Sequence, residues 1–272
     1  VLEFGDGSAA HPDGGVSAGR RHADRERAES FGGVAALYER ARPSYPPALI
    51  DALLPDGPVR VLDVGCGTGK AAELFARRGC SVLGVEVDAR MAEIARAKGL
   101  EVEVSRFEEW DGGERRFDLV ASGQAWHWVE PVKGAKRAAA VLAESGRIGL
   151  FWNLGDPPAA VREKLAPVYA RLEPDLENYS VVTDDRGRRA AETLAGLETS
   201  GVFEPAEVCI FAWTRSYTTA QWLDFVATHS DHQALEPRRR ERLLEAAGEA
   251  IDDAGGTFEV PYDTVLVSAR KA

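Results

Sequence analysis

The chain has 272 residues, 44% of them hydrophobic, and a formal net charge of −11 at pH 7. That length suffices for one substantial core, while so acidic a balance disfavours nonspecific nucleic-acid binding and an anionic membrane face, both of which need a basic surface. No apolar run approaches the roughly 20 residues of a membrane helix, no basic start leads into the apolar core of a signal peptide, and the three cysteines fit reduced thiols, so a cytoplasmic location is expected.

Residues 1–30 are rich in Gly, Ala, Asp and Arg, with Leu2, Phe4 and Val16 as their large apolar residues, and read as a flexible tail. One domain is expected over 31–272. Its first helix, 31–42, places Phe31, Val34, Leu37 and Tyr38 on one face. Pro43, Pro46 and Pro47 stop that helix and open the next at 48–54, so that 31–55 form a helical cap. From 59 onward strands are predicted at 59–64, 81–86, 101–105, 117–122 and 146–153, with helices at 69–78, 89–98 and 133–143. Near-continuous apolar runs such as Phe117 to Ala121 fit strands buried on both faces of a parallel sheet. The class is therefore α/β, a doubly wound sheet with its ligand at the carboxyl ends of the strands, and 56–153 is its binding core.

After Asn153 the rhythm breaks. Helices are predicted at 157–172 and 188–199, joined by a loop that carries Tyr179 and the Asp184–Asp185 pair. Strands return at 205–213 and 257–269, with helices at 219–228 and 237–254 between them. Segments 154–200 and 214–254 are read as additions to the same domain.

The motif that carries chemistry lies at 61–70, Val-Leu-Asp-Val-Gly-Cys-Gly-Thr-Gly-Lys, with Glu86 closing the following strand. Glycines let a backbone approach a ligand closely, and a strand-end carboxylate can accept hydrogen bonds from both hydroxyls of a ribose. A phosphate-binding P-loop fails on spacing: Val64 stands where its first glycine belongs and Ala71 where its hydroxyl belongs. A dinucleotide fingerprint would need glycine at 70, where the chain has lysine, and Asp63 directly before the loop would repel a diphosphate and attract a cation.

Asp63-x-Gly65-x-Gly67-x-Gly69 resembles the first motif of class I S-adenosylmethionine-dependent methyltransferases, and the likeness covers most of the chain from about Phe31. The resemblance implies a seven-stranded, mostly parallel sheet closed by a terminal hairpin of 205–213 and 257–269, with helical lid insertions at 154–200 and 214–254 over the substrate. It implies S-adenosylmethionine as cofactor, held by the loop of Gly65, Cys66, Gly67 and Gly69, with Asp63 near the ammonium group. Glu86 takes the ribose position with Val87 beside it, and Met91 suits the pattern. The family usually carries an acid on adenine just after the third strand. Here Arg106 stands in that slot, so Phe107 or Glu108 is expected to take over the contact.

In the same resemblance the segment after the fourth strand, 122–129, faces the methyl group. Ser122 and Gln124 are its candidate cofactor contacts, and His127 is the candidate general base, with loop shaping through the backbone as the alternative. Trp126 and Trp128 offer aromatic faces to a sulfonium, with packing at the base of the lid as the alternative, and Trp126 and Trp152 are candidates for an aromatic acceptor pocket. Tyr38 and Arg42 from the cap are candidates for the cofactor carboxylate, a solvated surface helix being the alternative. In the lid, His229 and His232 are candidates to position the acceptor, a polar helix end being the alternative. Their spacing around Asp231 hints at a metal, but no third ligand was identified in the sequence and none is expected.

The likeness is to bacterial small-molecule enzymes of the trans-aconitate type, and it implies O-methylation of a small acceptor by in-line displacement. The rival readings are a methyltransferase of RNA or protein, disfavoured by charge, a dehydrogenase, disfavoured by the glycine spacing, and a cofactor-binding regulatory protein without turnover.

Overall fold

The computed structural model describes residues 34–176 and 185–272, with the side chains of 185–187 excepted. The expected tail 1–30, Phe31, Tyr179, Asp184 and the side chain of Asp185 therefore lie outside the described residues.

The elements in chain order are α1 (Ala35–Ala41), α2 (Pro47–Leu53), β1 (Arg60–Val64), α3 (Lys70–Arg77), β2 (Ser81–Glu86), α4 (Ala89–Ala97), β3 (Glu101–Val104) and β4 (Phe117–Gly123). A 3₁₀ turn at Trp126–Trp128 leads to α5 (Pro131–Val141) and β5 (Leu142–Gly155). Then come α6 (Ala159–Leu172), α7 (Asp185–Ser200), β6 (Glu207–Thr218), α8 (Thr219–Ala227), α9 (Ser230–Gln233), α10 (Pro237–Asp252) and β7 (Thr257–Arg270). Among the described residues the strands form one seven-stranded sheet in the order β3-β2-β1-β4-β5-β7-β6. The first five pair in parallel, while β7 runs antiparallel to both β5 and β6.

Side chains alternate across a strand, and here the alternation divides two cores. Leu62, Val64, Val120, Ile148 and Leu150 face one side, where Ala135, Ala138 and Ala139 of α5 and Leu197 of α7 cover them. Val61, Leu119, Ala121 and Phe151 face the other, against Leu49, Ile50 and Leu53 of α2 and Phe75 of α3. A third core fills the lid, where Tyr169 of α6, Trp222 and Phe225 of α8 and Leu243 of α10 pack on Tyr217 and Tyr262.

The expected lid differs in two places: α7 packs beside α5 on the sheet, through Ala190, Leu194 and Leu197, instead of joining the lid core, and residues 214–218 continue strand β6 to Thr218. The hairpin with β7 is in register as far as Thr218 opposite Thr257, and a capping box then starts α8, with Thr218 Oγ1 accepting from the Gln221 amide and Gln221 Oε1 from the Thr218 amide. Reciprocal capping satisfies two helix-end donors at that point, which fixes the switch from strand to helix.

The cap is tied to both halves. Glu39 of α1 accepts from Lys98 Nζ at 2.6 Å, and Arg40 pairs with Asp224 of α8 at 3.1 Å. Among the described residues no helix is long and apolar enough to cross a membrane.

Candidate cofactor site

Beyond Val64 the backbone turns through Gly65, Gly67 and Gly69 at φ of 65°, 56° and 83°. L side chains rarely adopt that region. Space demands the same residue at Gly65, where a Cβ would fall 2.4 Å from the Ala125 Cβ. Gly65 and Gly67 line a cleft at the carboxyl ends of β1, β2 and β4. Gly69 does not; it caps α3 and packs towards Leu100. Cys66, expected among the cofactor contacts, turns its thiol the other way, onto Gly84, where a Cβ would meet the sulfur at 2.5 Å. Burial pushes that thiol well above its ordinary value, so it packs rather than reacts. Lys70 donates to the Glu39 carbonyl at 2.6 Å, a structural use that explains the lysine without a phosphate.

Two buried carboxylates flank the loop. Glu86 Oε2 accepts from the Gly67 amide at 2.7 Å and Oε1 from the Asp88 amide at 3.0 Å. A carboxylate has about four lone-pair sites, so two remain for a further donor pair. Burial raises the Glu86 carboxyl above its ordinary value, against the pull of these amides. Asp63 is 1% exposed, and neither of its oxygens has a hydrogen bond of normal geometry. Burial pushes its carboxyl up to about 7; the field of the Ala72 amide opposes the shift and Glu86 adds to it. An orphaned buried acid beneath a glycine cradle fits a ligand that brings an ammonium group and a ribose.

The cleft opens to solvent, and its space, part of that solvent included, is about 750 Å³. Of the expected residues, Tyr38, Glu86, Val87, Phe107 and Gln124 line it beside the two glycines. Met91 joins them, as does Trp128, whose aromatic face the sequence offers to the cofactor; Ser105, Arg106 and Ala125 were not among the expected contacts. Gln124 holds φ 60°, a strained value for a non-glycine residue, and is fixed by its amide on the Phe151 carbonyl (2.9 Å) and its Nε2 on the Asn153 carbonyl (3.0 Å). Asn153 is itself clamped, accepting from Thr264 Oγ1 at 2.7 Å and donating to the Ser44 carbonyl at 2.9 Å.

Several expected contacts are engaged elsewhere. Ser122 is fully buried and donates to the Val64 carbonyl at 2.8 Å, joining β4 to β1. Glu108 accepts from the Glu130 amide at 3.0 Å at the start of α5. Arg42 donates to Thr228 Oγ1 at 2.7 Å and to the Thr228 carbonyl at 3.1 Å, with its guanidinium over the rings of Tyr38 and Phe225. It binds cap to lid through both groups and is absent from the cleft wall. Trp126 is core, packed beside Phe107; its neighbour Trp128 faces the cleft. Trp152 is 1% exposed and lies in the same core.

His229 and His232 also stand away from the cleft wall, inside the lid. His232 meets Tyr169 Oη at 2.9 Å and Asp231 Oδ1 at 3.0 Å, while the His229 ring packs edge-on against Phe225. Burial pushes the His229 imidazole well below its ordinary value.

His127 has Nδ1 placed 3.4 Å from both the Trp152 indole nitrogen and an Arg189 guanidinium nitrogen. Both neighbours only donate, so Nδ1 is an acceptor and the neutral ring carries its proton on Nε2. Protonating Nδ1 would set a third donor against those two. With Nδ1 turned to those two donors, His127 bridges β5 and helix α7. His127→Ala is expected to lower kcat by less than about tenfold, against the 10²–10⁴ of a lost base; a steady-state pH–rate profile that loses its acidic limb in the variant would contradict this.

Sheet order, the glycine cradle and the strand-end acid together define a class I S-adenosylmethionine-dependent methyltransferase. The chain belongs to that family. The family described as "Methyltransferase domain" matches residues 61–146. An uncharacterized methyltransferase of Mycobacterium tuberculosis is 33% identical over 258 residues, covering 91% of this chain and 98% of that protein. A ubiquinone biosynthesis O-methyltransferase of Alkalilimnicola ehrlichii is 37% identical over 106 residues, 36% of this chain and 43% of that one. Among solved structures, a type II methyltransferase of Anaeromyxobacter dehalogenans superposes with a TM-score of 0.63 at 20% identity, covering 84% of this chain and 97% of that chain. The cofactor is S-adenosylmethionine.

Proposed function

We propose that the protein methylates an oxygen of a small acceptor, and that the attacking oxygen is already ionised when it binds, as in a carboxylate or an acidic phenol. The observation that carries this is the cleft itself. It has aromatic and apolar walls at Tyr38, Phe107, Trp128 and Val129, and Glu86 as the carboxylate among its lining side chains. Glu86 is committed to the loop amides and His127 Nδ1 faces two donors, which favours an acceptor that has no need of a base. The net charge of −11 speaks for a small partner over RNA, and the O-methyltransferase of A. ehrlichii offers a precedent for the atom methylated.

In this reading Gly65 and Gly67 seat the amino-acid part of the cofactor, Glu86 holds the ribose hydroxyls, and Asp63 faces the ammonium group. Phe107 and Ser105 bound the adenine side, and Gln124 and Trp128 stand at the methyl end. The cofactor supplies an activated methyl group on a sulfonium with a good leaving group. The protein aligns nucleophile, methyl carbon and sulfur and keeps water out, and an aromatic face at Trp128 attracts the sulfonium by about 0.5–2 kcal/mol.

Asp63 gives this arrangement a pH signature. Its folded value of about 7 lies above the ordinary carboxylate value, so between the two the native state holds a proton that the unfolded state has lost. The group's contribution to stability therefore falls as pH rises across that window. A cation beside Asp63 favours the ionised form, so affinity for S-adenosylhomocysteine is expected to rise as pH increases through about 7. Asp63→Asn should flatten that dependence in calorimetric titrations; an equally steep dependence in the variant would take Asp63 out of the ammonium site.

Incubation with methyl-labelled cofactor and separate pools of small carboxylates, phenols, RNA and protein tests the proposal. Label in a methyl ester or aryl ether supports it. Label confined to RNA or protein overturns it.

A further inference from the structure

We propose that His229, Asp231 and His232 form a binding site for a divalent transition ion of the zinc type within the lid, separate from the cofactor cleft. One ligand atom from each of the three lies within 4.8 Å of the other two. His232 Nδ1 and Asp231 Oδ1 are 3.0 Å apart. A tetrahedral ion with bonds of about 2.0–2.1 Å sets its ligand atoms roughly 3.3 Å apart, so that pair needs little movement to share one. Imidazole nitrogen with one carboxylate oxygen is a donor set suited to zinc and its neighbours, and it leaves a fourth position for water.

The second observation is independent of the cluster's composition. His229 is 8% exposed, and its Nε2 is buried without a hydrogen-bond partner. An unsatisfied buried polar atom is costly, and a cation bound by that nitrogen would remove the cost. The surroundings fit as well. With His232 Nδ1 as the ligand atom, its Nε2–H would donate to Tyr169 Oη, already 2.9 Å away on α6, and a hydrogen bond from the far side of the ring is what orients a metal-bound histidine. The Asp231 side chain, 17% exposed, gives solvent a way in. Arg42 is the opposing charge nearby, with its guanidinium anchored on Thr228. Bound there, an ion would tie α9 through Tyr169 to α6 and stiffen the lid without touching the reacting atoms.

Co²⁺ titration of the metal-stripped full chain tests this, read by the visible absorption of a tetrahedral site and by competition with Zn²⁺. One Co²⁺ per chain is expected, displaced by Zn²⁺, with affinity falling at least about tenfold in His229→Gln and in Asp231→Asn. Asp231→Asn keeps the shape and the acceptor facing His232, and S-adenosylhomocysteine binding serves as the fold control for both variants. Absence of Co²⁺ uptake by the unmodified protein, or equal affinity in folded variants, overturns the proposal and leaves the cofactor assignment untouched.

Discussion

Glu86→Ala is expected to weaken S-adenosylhomocysteine binding by roughly 1.5–3 kcal/mol, about ten- to a hundredfold in Kd. Two effects act together. The ribose loses its carboxylate acceptor, and the loop loses the oxygens that fix the amides of Gly67 and Asp88. Glu86→Gln separates them: its amide can still accept one bond, but its NH₂ faces an N–H where an oxygen was, so it should recover less than half of the loss. Calorimetric titration of the three proteins is the check. Unchanged affinity in a folded Glu86→Ala protein would remove Glu86 from the site.

Trp152→Ala should carry the largest stability cost, about 3–5 kcal/mol for truncating a large aromatic in a packed core. Trp152 is 1% exposed on β5, and its indole nitrogen also faces His127, so the variant loosens the turn that carries Trp128 into the cleft. Trp152→Phe keeps most of the buried area and should cost clearly less. Urea unfolding of both variants measures this; a loss below about 1 kcal/mol for Trp152→Ala would show that the core re-forms without it.

What was legible in the sequence is what depends on near neighbours in the chain. The glycine loop follows from backbone conformations that few other residues adopt, and Glu86 from its place at the end of an apolar run, so both could be assigned from local pattern. Strands β1, β2 and β4 were legible because each is a short, largely apolar run. Side-chain direction was not, since a partner distant in sequence sets it. Ser122 answers to Val64, Glu108 to Glu130 and Arg42 to Thr228, and no spacing encodes those encounters. Trp126 and Trp128 differ by two positions in one tight turn, and only the packing of Phe107 against the first leaves the second for the cleft. The end of β6 was misplaced because strand pairing with β7 carries it on to a cap at Thr218.

The most direct test of the central claim is calorimetric titration of the unmodified chain with S-adenosylhomocysteine, with NADH as the control ligand. A cofactor cleft lined by Gly65, Gly67 and Glu86, with Asp63 buried beside the loop, predicts one S-adenosylhomocysteine per chain with micromolar affinity and no heat from NADH. Binding of NADH, or no binding of S-adenosylhomocysteine, would contradict it.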